Sequence, residues 1–119
     1  MSAKAMKHQR PVVTFIHGLQ QSGGLSATDI ANFTAVSKAT VSRWTNDHKT
    51  PKPGTELAIS DLYYLTMRLS EFYSPGEIRT WWYARHPQLA GERAIDLIRD
   101  NRSSEVLEII NRLEMDVYL

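Results

Sequence analysis

The sequence predicts an all-α fold, an amino-terminal helix-turn-helix followed by a small carboxy-terminal helical region, and three observations lead there. Residues Leu25 to Trp44 (LSATDIANFTAVSKATVSRW) have the spacing of a helix-turn-helix. Downstream, apolar side chains recur at steps of three and four, the period of an amphipathic helix. The charge is also divided. Residues 1–53 hold seven Lys or Arg against two acids, a net +5, and residues 54–119 hold seven Arg against eleven acids, a net −4, although the whole chain carries only +1. The chain is therefore read as two regions: a basic arm with the helix-turn-helix over 1–53, and an acidic helical region over 54–119.

Met1 to Arg10 carries Lys4, Lys7, His8 and Arg10 with little apolar content and reads as a mobile arm. Pro11 to Gln21 contains Val12, Val13, Thr14, Phe15 and Ile16, which have strand propensity, but Pro11 suits the first position of a helix, and Val12, Phe15, Ile16 and Leu19 share one helical face. A helix-turn-helix also needs a preceding helix to complete its core, which decides for helix; Gly23 and Gly24 then end it. Ser26 is an N-cap with Asp29 three residues on, and Ser37 caps the second helix of the motif. Ile30, Ala31, Ala35, Val36, Val41 and Trp44 are the inward positions, which leaves Ser37, Lys38, Thr40, Ser42 and Arg43 to meet phosphates and base edges. The turn normally favours glycine, and Ala35 in its place costs about 1 kcal/mol. Thr34 stands where an apolar residue is usual.

Asn46 to Gly54, with two prolines, is a turn and the natural boundary between the regions. Thr55 to Tyr73 reads as a long helix burying Ala58, Leu62, Leu65, Leu69 and Phe72. Ser74, Pro75 and Glu77 then form a capping box with proline at the first helical position, so a helix begins there. After HPQLAGER come a short helix, Ala94 to Arg99, and a final helix from Ser104 to about Glu114. Beyond it Met115, Val117, Tyr118 and Leu119 make an apolar tail, which either folds back on the core or enters a partner.

A length of 119 residues with 42% hydrophobic content is enough for one compact domain or two very small ones, so the halves are expected to share packing or to dimerise. With no cysteine, disulfides and thiolate zinc sites are excluded. No apolar run approaches the ~20 residues that span a bilayer, and the amino terminus lacks the apolar core of a signal peptide, so a cytoplasmic protein without a membrane partner is expected. His8, His17, His48 and His86 lack the spacing of metal ligands. Phosphate-cradling glycine loops, a nucleophile elbow and paired carboxylates are missing, so neither an enzyme nor a bound metal is expected. Adjacent Trp81 and Trp82 could stack on a ring, though one is expected in the core.

From about residue 55 to 119 the chain resembles the antitoxin family known as Xre/MbcA/ParS toxin-binding. That pattern is a tryptophan, a short loop with proline, leucine and small residues, a leucine-rich helix, and a last helix ending in an apolar tail. Trp81, Pro87, Leu89, Gly91, Leu97, Val106, Leu107, Ile110, Val117 and Tyr118 occupy those places, and the upstream helix-turn-helix is similar to the Xre-like module that such proteins carry. It departs from the family in having Ala90 and Gly91, then Ala94, where a Gly-Gly pair and a proline are frequent. The resemblance implies an antitoxin paired with a RES-domain toxin that degrades NAD, with the carboxy-terminal region covering the toxin's active-site entrance and no cofactor held by this chain.

The residues agree for reasons of their own. Asp116, Val117, Tyr118 and Leu119 end in an α-carboxylate that could compete with an anionic pyrophosphate in a basic cleft, and Trp81, Arg85, Arg93 and Arg112 could add contacts to the toxin. The expected partners are thus a toxin, in a hetero-oligomer or with an antitoxin dimer, and operator DNA for autoregulation. Two rivals stand beside this: a free-standing helix-turn-helix regulator whose second half dimerises, and an adaptor that has lost DNA affinity.

Overall fold

The computed structural model describes residues 10–118, and among them the regular structure is helical: α1 (Pro11–Gln21), α2 (Ala27–Thr34), α3 (Lys38–Asn46), α4 (Pro53–Leu69), α5 (Pro75–Tyr83), a 3-10 turn (Pro87–Leu89), α6 (Ala94–Arg99) and α7 (Ser103–Tyr118). No described helix is long and apolar enough to cross a membrane. The expected mobile arm lies, apart from Arg10, outside the described residues. Arg10 itself is held: it precedes α1, and its guanidinium donates to the carbonyl of Trp44 in the last turn of α3 and to that of Lys49 in the turn after it. A cation there satisfies helix carbonyls that have no partner within the helix.

α1 packs on α3 and α4, α2 on α3 and α6, and α4 on α6 and α7, while α5 rests on α6. The buried side chains form one cluster that runs from Val12, Ile16 and Leu19 of α1 through Trp44 of α3 and Ile59, Leu62 and Leu69 of α4 to Trp82, Ile98, Val106 and Ile110. The two charge-divided halves thus share a core. Burying such a side chain contributes roughly 1.5–3 kcal/mol, so each half draws stability from the other's apolar side chains. Gly18 allows α1 and α4 to approach closely, since a Cβ there would lie 2.4 Å from a ring carbon of Tyr63. Phe15 then lies against Tyr63 and Tyr64, with ring centroids 5.0 and 5.8 Å away.

The boundaries of two helices differ from expectation. α4 begins at Pro53, which takes the first helical position, and ends at Leu69, so it is shifted from the expected Thr55 to Tyr73. Past its end the N–H groups of Phe72 and Tyr73 both return to the Leu69 carbonyl, and Phe72 lies in the turn, only partly buried. Ser74 precedes proline, which disfavours a helical backbone and keeps the chain from continuing. Ile59, outside the expected apolar set, is fully buried, whereas Ala58 is partly exposed. The last helix starts at Ser103 and continues to Tyr118 rather than stopping near Glu114. Met115 to Tyr118 therefore extend α7 and do not turn back on it, which corrects the expectation of a separate tail. No glycine or proline interrupts this stretch, so nothing local stops the helix.

Candidate functional site

The helix-turn-helix forms as its spacing requires. Ser26 Oγ accepts the Asp29 N–H at 3.1 Å while Asp29 accepts the Ser26 N–H at 2.8 Å, which completes the capping box at the start of α2. Ala35 takes the left-handed backbone of the turn at φ 59°, a conformation that is strained for a residue with a Cβ. Thr34, the other departure, is accommodated because its hydroxyl donates to the Ile30 carbonyl of its own helix at 2.7 Å. Ile30, Ala31, Val41 and Trp44 are buried as expected, and Phe33, not among the expected core residues, joins them. Ala35 is exposed and Val36 only partly buried.

The five residues assigned to DNA divide by what they already do. Ser37 caps α3 by accepting the Thr40 N–H at 3.1 Å, and its hydroxyl meets that of Thr40 at the same distance, so both are engaged in starting the helix. Ser42 accepts from Asn46 Nδ2 at 3.0 Å. Lys38, Ser42 and Arg43 are exposed, and Lys49 and Lys52 follow in the next turn, also exposed. This part of the surface is cationic and would attract a phosphate backbone.

The least expected feature links the motif to the second half. Asp29 is buried, 6% exposed, and besides the cap it accepts from Arg79 Nε and Nη2 at 3.2 and 3.1 Å and from the Tyr83 hydroxyl at 2.9 Å, both on α5. Burial alone would raise the Asp29 carboxyl, but the bonds from Ser26, Arg79 and Tyr83 outweigh it and hold the group below the ordinary carboxylate range. Burial and the neighbouring carboxylate push the Tyr83 hydroxyl up to about 12. The Arg79 guanidinium also sits 4.9 Å from the Tyr83 ring centre. A second tie joins the same halves: Arg99 of α6 donates to the Phe33 carbonyl at 3.2 Å. Asp29 looked like an ordinary capping residue in the sequence, and nothing local marked its partners fifty residues away.

On the carboxy-terminal half, Trp81 and Trp82 separate as anticipated for a helix with one buried face. Trp82 is fully buried, with its indole N–H donated to the equally buried Thr66 hydroxyl at 2.9 Å. Trp81 is partly exposed and packs on His86, ring centres 4.6 Å apart, while His86 Nε2 donates to the Trp81 carbonyl at 2.9 Å. Tyr73, Glu77, Trp81 and His86 line a shallow groove of about 470 Å³. Arg85 is exposed and donates to the Gly91 carbonyl at 3.1 Å, whereas Arg93 is held in a two-pronged pair with Asp96 at 2.8 and 3.0 Å. In the loop between them Ala90 stands at φ 56° and Gly91 at φ 80°, so the position occupied by alanine needs the backbone that glycine adopts freely. Arg112 is exposed and pairs along the helix with Glu108. Asp116 is exposed near the end of α7; the backbone of 117 and 118 is helical, and Leu119 lies outside the described residues. Trp81, Arg85 and Arg93 thus cluster around the α5–α6 connection, with Arg112 and Asp116 on the separate last helix.

No family model and no curated protein matches the chain. Among solved structures, a chain of the crystal structure of the M. tuberculosis MbcT-MbcA toxin-antitoxin complex superposes with a TM-score of 0.77 at 21% identity, over 91% of this chain and 96% of that one. At that identity the likeness is one of architecture: this protein has the all-helical fold of a chain of that complex.

Proposed function

We propose that this protein is an antitoxin that binds and neutralises a RES-domain, NAD-degrading toxin and represses its own operon through the helix-turn-helix. The observation that carries the reading is the likeness to a chain of a toxin–antitoxin complex over nearly the full length of both chains. Two features support it. Trp81, Pro87, Leu89 and Gly91 lie at the end of α5 and in the connection after it, with Pro87 exposed and Leu89 buried, next to a ring-lined groove, and α7 carries exposed Met115 and Asp116 towards the carboxy terminus. In this reading the segment from Asp116 to Leu119 enters the toxin's cleft, where its carboxylates occupy the place of an anionic pyrophosphate and its bulk excludes NAD. Inhibition is steric and electrostatic, and this chain performs no chemistry.

The test is deletion of residues 116–119 in the complex with a RES-domain toxin. NAD consumption should be released while helical content and melting temperature stay near those of the full chain. A truncated protein that remains folded and inhibits fully would sink the occlusion reading. The rival, a free-standing regulator, draws on the well-formed caps and turn of the helix-turn-helix and its cationic surface. Untagged purification from cells separates the two, because only the antitoxin should come with a stoichiometric second protein.

A further inference from the structure

α1, which precedes the helix-turn-helix, shares a notch with the second helix of the motif. His17 and Gln20 of α1, one turn apart, stand across about 250 Å³ of open space from Lys38, Ser42 and Thr45 of α3. On α3 these three recur at steps of four and three, so they form one stripe along the helix. His17, Gln20, Lys38 and Ser42 are all exposed, and no carboxylate lines the notch. Lys38 takes part in no ion pair among the described residues. Ser42 Oγ accepts from Asn46 Nδ2, which leaves its own proton to donate, whereas Thr45 spends its proton on the Ser42 carbonyl. The notch therefore offers an ammonium, a side-chain amide, a ring N–H and a hydroxyl, with no acid to neutralise them.

We propose that this notch holds a phosphodiester of duplex DNA, and that His17 and Gln20 are DNA-contacting residues alongside Lys38 and Ser42. The inference rests on the operator-binding part of the reading above and goes further by dividing the work along α3. A cluster of donors without an acid fits an anion that has several acceptor oxygens. Its place selects DNA as the source of that anion. Two of the donors stand on the helix that a helix-turn-helix lays in the major groove, and the next stripe of α3, Ala39, Arg43 and Asn46, is exposed beside them. In this arrangement the notch grips the backbone at the border of the groove and fixes how α3 lies, while Arg43 is left to read base edges. α1 makes a firm second side to the grip, because Ile16 and Leu19, the residues immediately before His17 and Gln20, are buried in the core.

The test uses the full chain with two duplexes of equal length, one from the DNA upstream of its gene and one of unrelated sequence. A phosphate contact carries no sequence information, so Gln20→Ala and Lys38→Ala should each weaken binding to both duplexes by the same factor, roughly tenfold. Only Lys38→Ala should also lower the slope of log affinity against log salt, by about one, because Gln20 is neutral and releases no counterion. Gln20→Glu, which suits a helix equally well and brings a carboxylate to the site, should weaken both duplexes roughly a hundredfold. Arg43→Ala should instead erode the preference for the upstream duplex. Circular dichroism and melting temperature confirm that each variant is folded, and the α1 and α3 variants report independently if one of them is not. Gln20→Glu binding like wild type, or Gln20→Ala changing the preference between duplexes, overturns the proposal; if Lys38→Ala and Arg43→Ala are still impaired, the operator reading stands without it. A wild-type chain that binds neither duplex overturns both. Inorganic phosphate binding that is lost in Gln20→Glu while duplex binding persists assigns the notch to a free anion and overturns the proposal as well.

Discussion

Asp29 shows how one side chain can serve a cap, an ion pair and a junction at once. Its carboxylate caps the start of α2, while Arg79 and Tyr83 reach it from α5. Asp29→Ala should lower stability by about 2–3 kcal/mol, because bonds to a charged group are lost and the Tyr83 hydroxyl loses its partner; Arg79, half exposed, is left to water. The sign of the pH dependence follows from the direction of the shift. A carboxyl lowered by folding contributes stability that is present above its unfolded value and lost as pH falls through its folded one, so the gap between wild type and Asp29→Ala should close below about pH 4 in urea titrations. Tyr83 works in the opposite sense: raised from 10.0 to about 12, its contribution is complete below pH 10 and lost as pH climbs through 12. On the DNA side, Lys38→Ala or Arg43→Ala should weaken operator binding by about 1–3 kcal/mol for a base-edge contact, or flatten its salt dependence for a phosphate contact. Gel shifts over a salt series distinguish these, and binding unchanged in both variants would mark the motif as degenerate.

At the scale of elements, the starts of helices are governed by residues next to each other in sequence and the ends are not. Ser74, Pro75 and Glu77 start α5 where their chemistry requires, with Ser74 accepting the Glu77 N–H and Glu77 accepting the Ser74 N–H at 2.8 Å. The end of α4 at Leu69 and the extension of α7 to Tyr118 escaped the apolar count, because period alone does not say which turn is the last. The helix-turn-helix turn is an element with stored strain. Ala35→Gly should raise stability by about 0.5–1 kcal/mol, since glycine takes φ near +60° without a clash, although it also frees the unfolded chain. Thermal unfolding of the two proteins under one set of conditions is sufficient, and a lower melting temperature for Ala35→Gly would show that the turn is not strained. Trp44→Ala, which removes the main inward residue of α3, should cost about 3–5 kcal/mol.

Across the whole molecule, the opposed charges of the two halves do not correspond to separate cores. Ile16, Trp44, Leu62, Trp82 and Ile110 belong to one buried cluster, and the Asp29 and Arg99 ties cross between the halves. Unfolding should therefore be a single transition. Leu19→Ala, in α1, should cost about 2–5 kcal/mol and lower the stability of α6 and α7 as much as that of α3, which amide exchange measured helix by helix can follow. Retention of full protection in α6 and α7 would mean that the halves unfold separately.

By itself the sequence determined what depends on neighbours along the chain: the helical class, the capped starts at Ser26, Ser37 and Ser74, the turn at Ala35, and the division of charge. These follow from backbone geometry and from side chains a few residues apart. The tertiary structure alone decided that Asp29 meets Arg79 and Tyr83, that Arg10 closes α3, that Gly18 admits the ring of Tyr63, and that Tyr64 and Leu107 share an exposed groove. Each of these joins residues tens of positions apart, and which of many compatible side chains meet is set by how the helices pack rather than by any local preference.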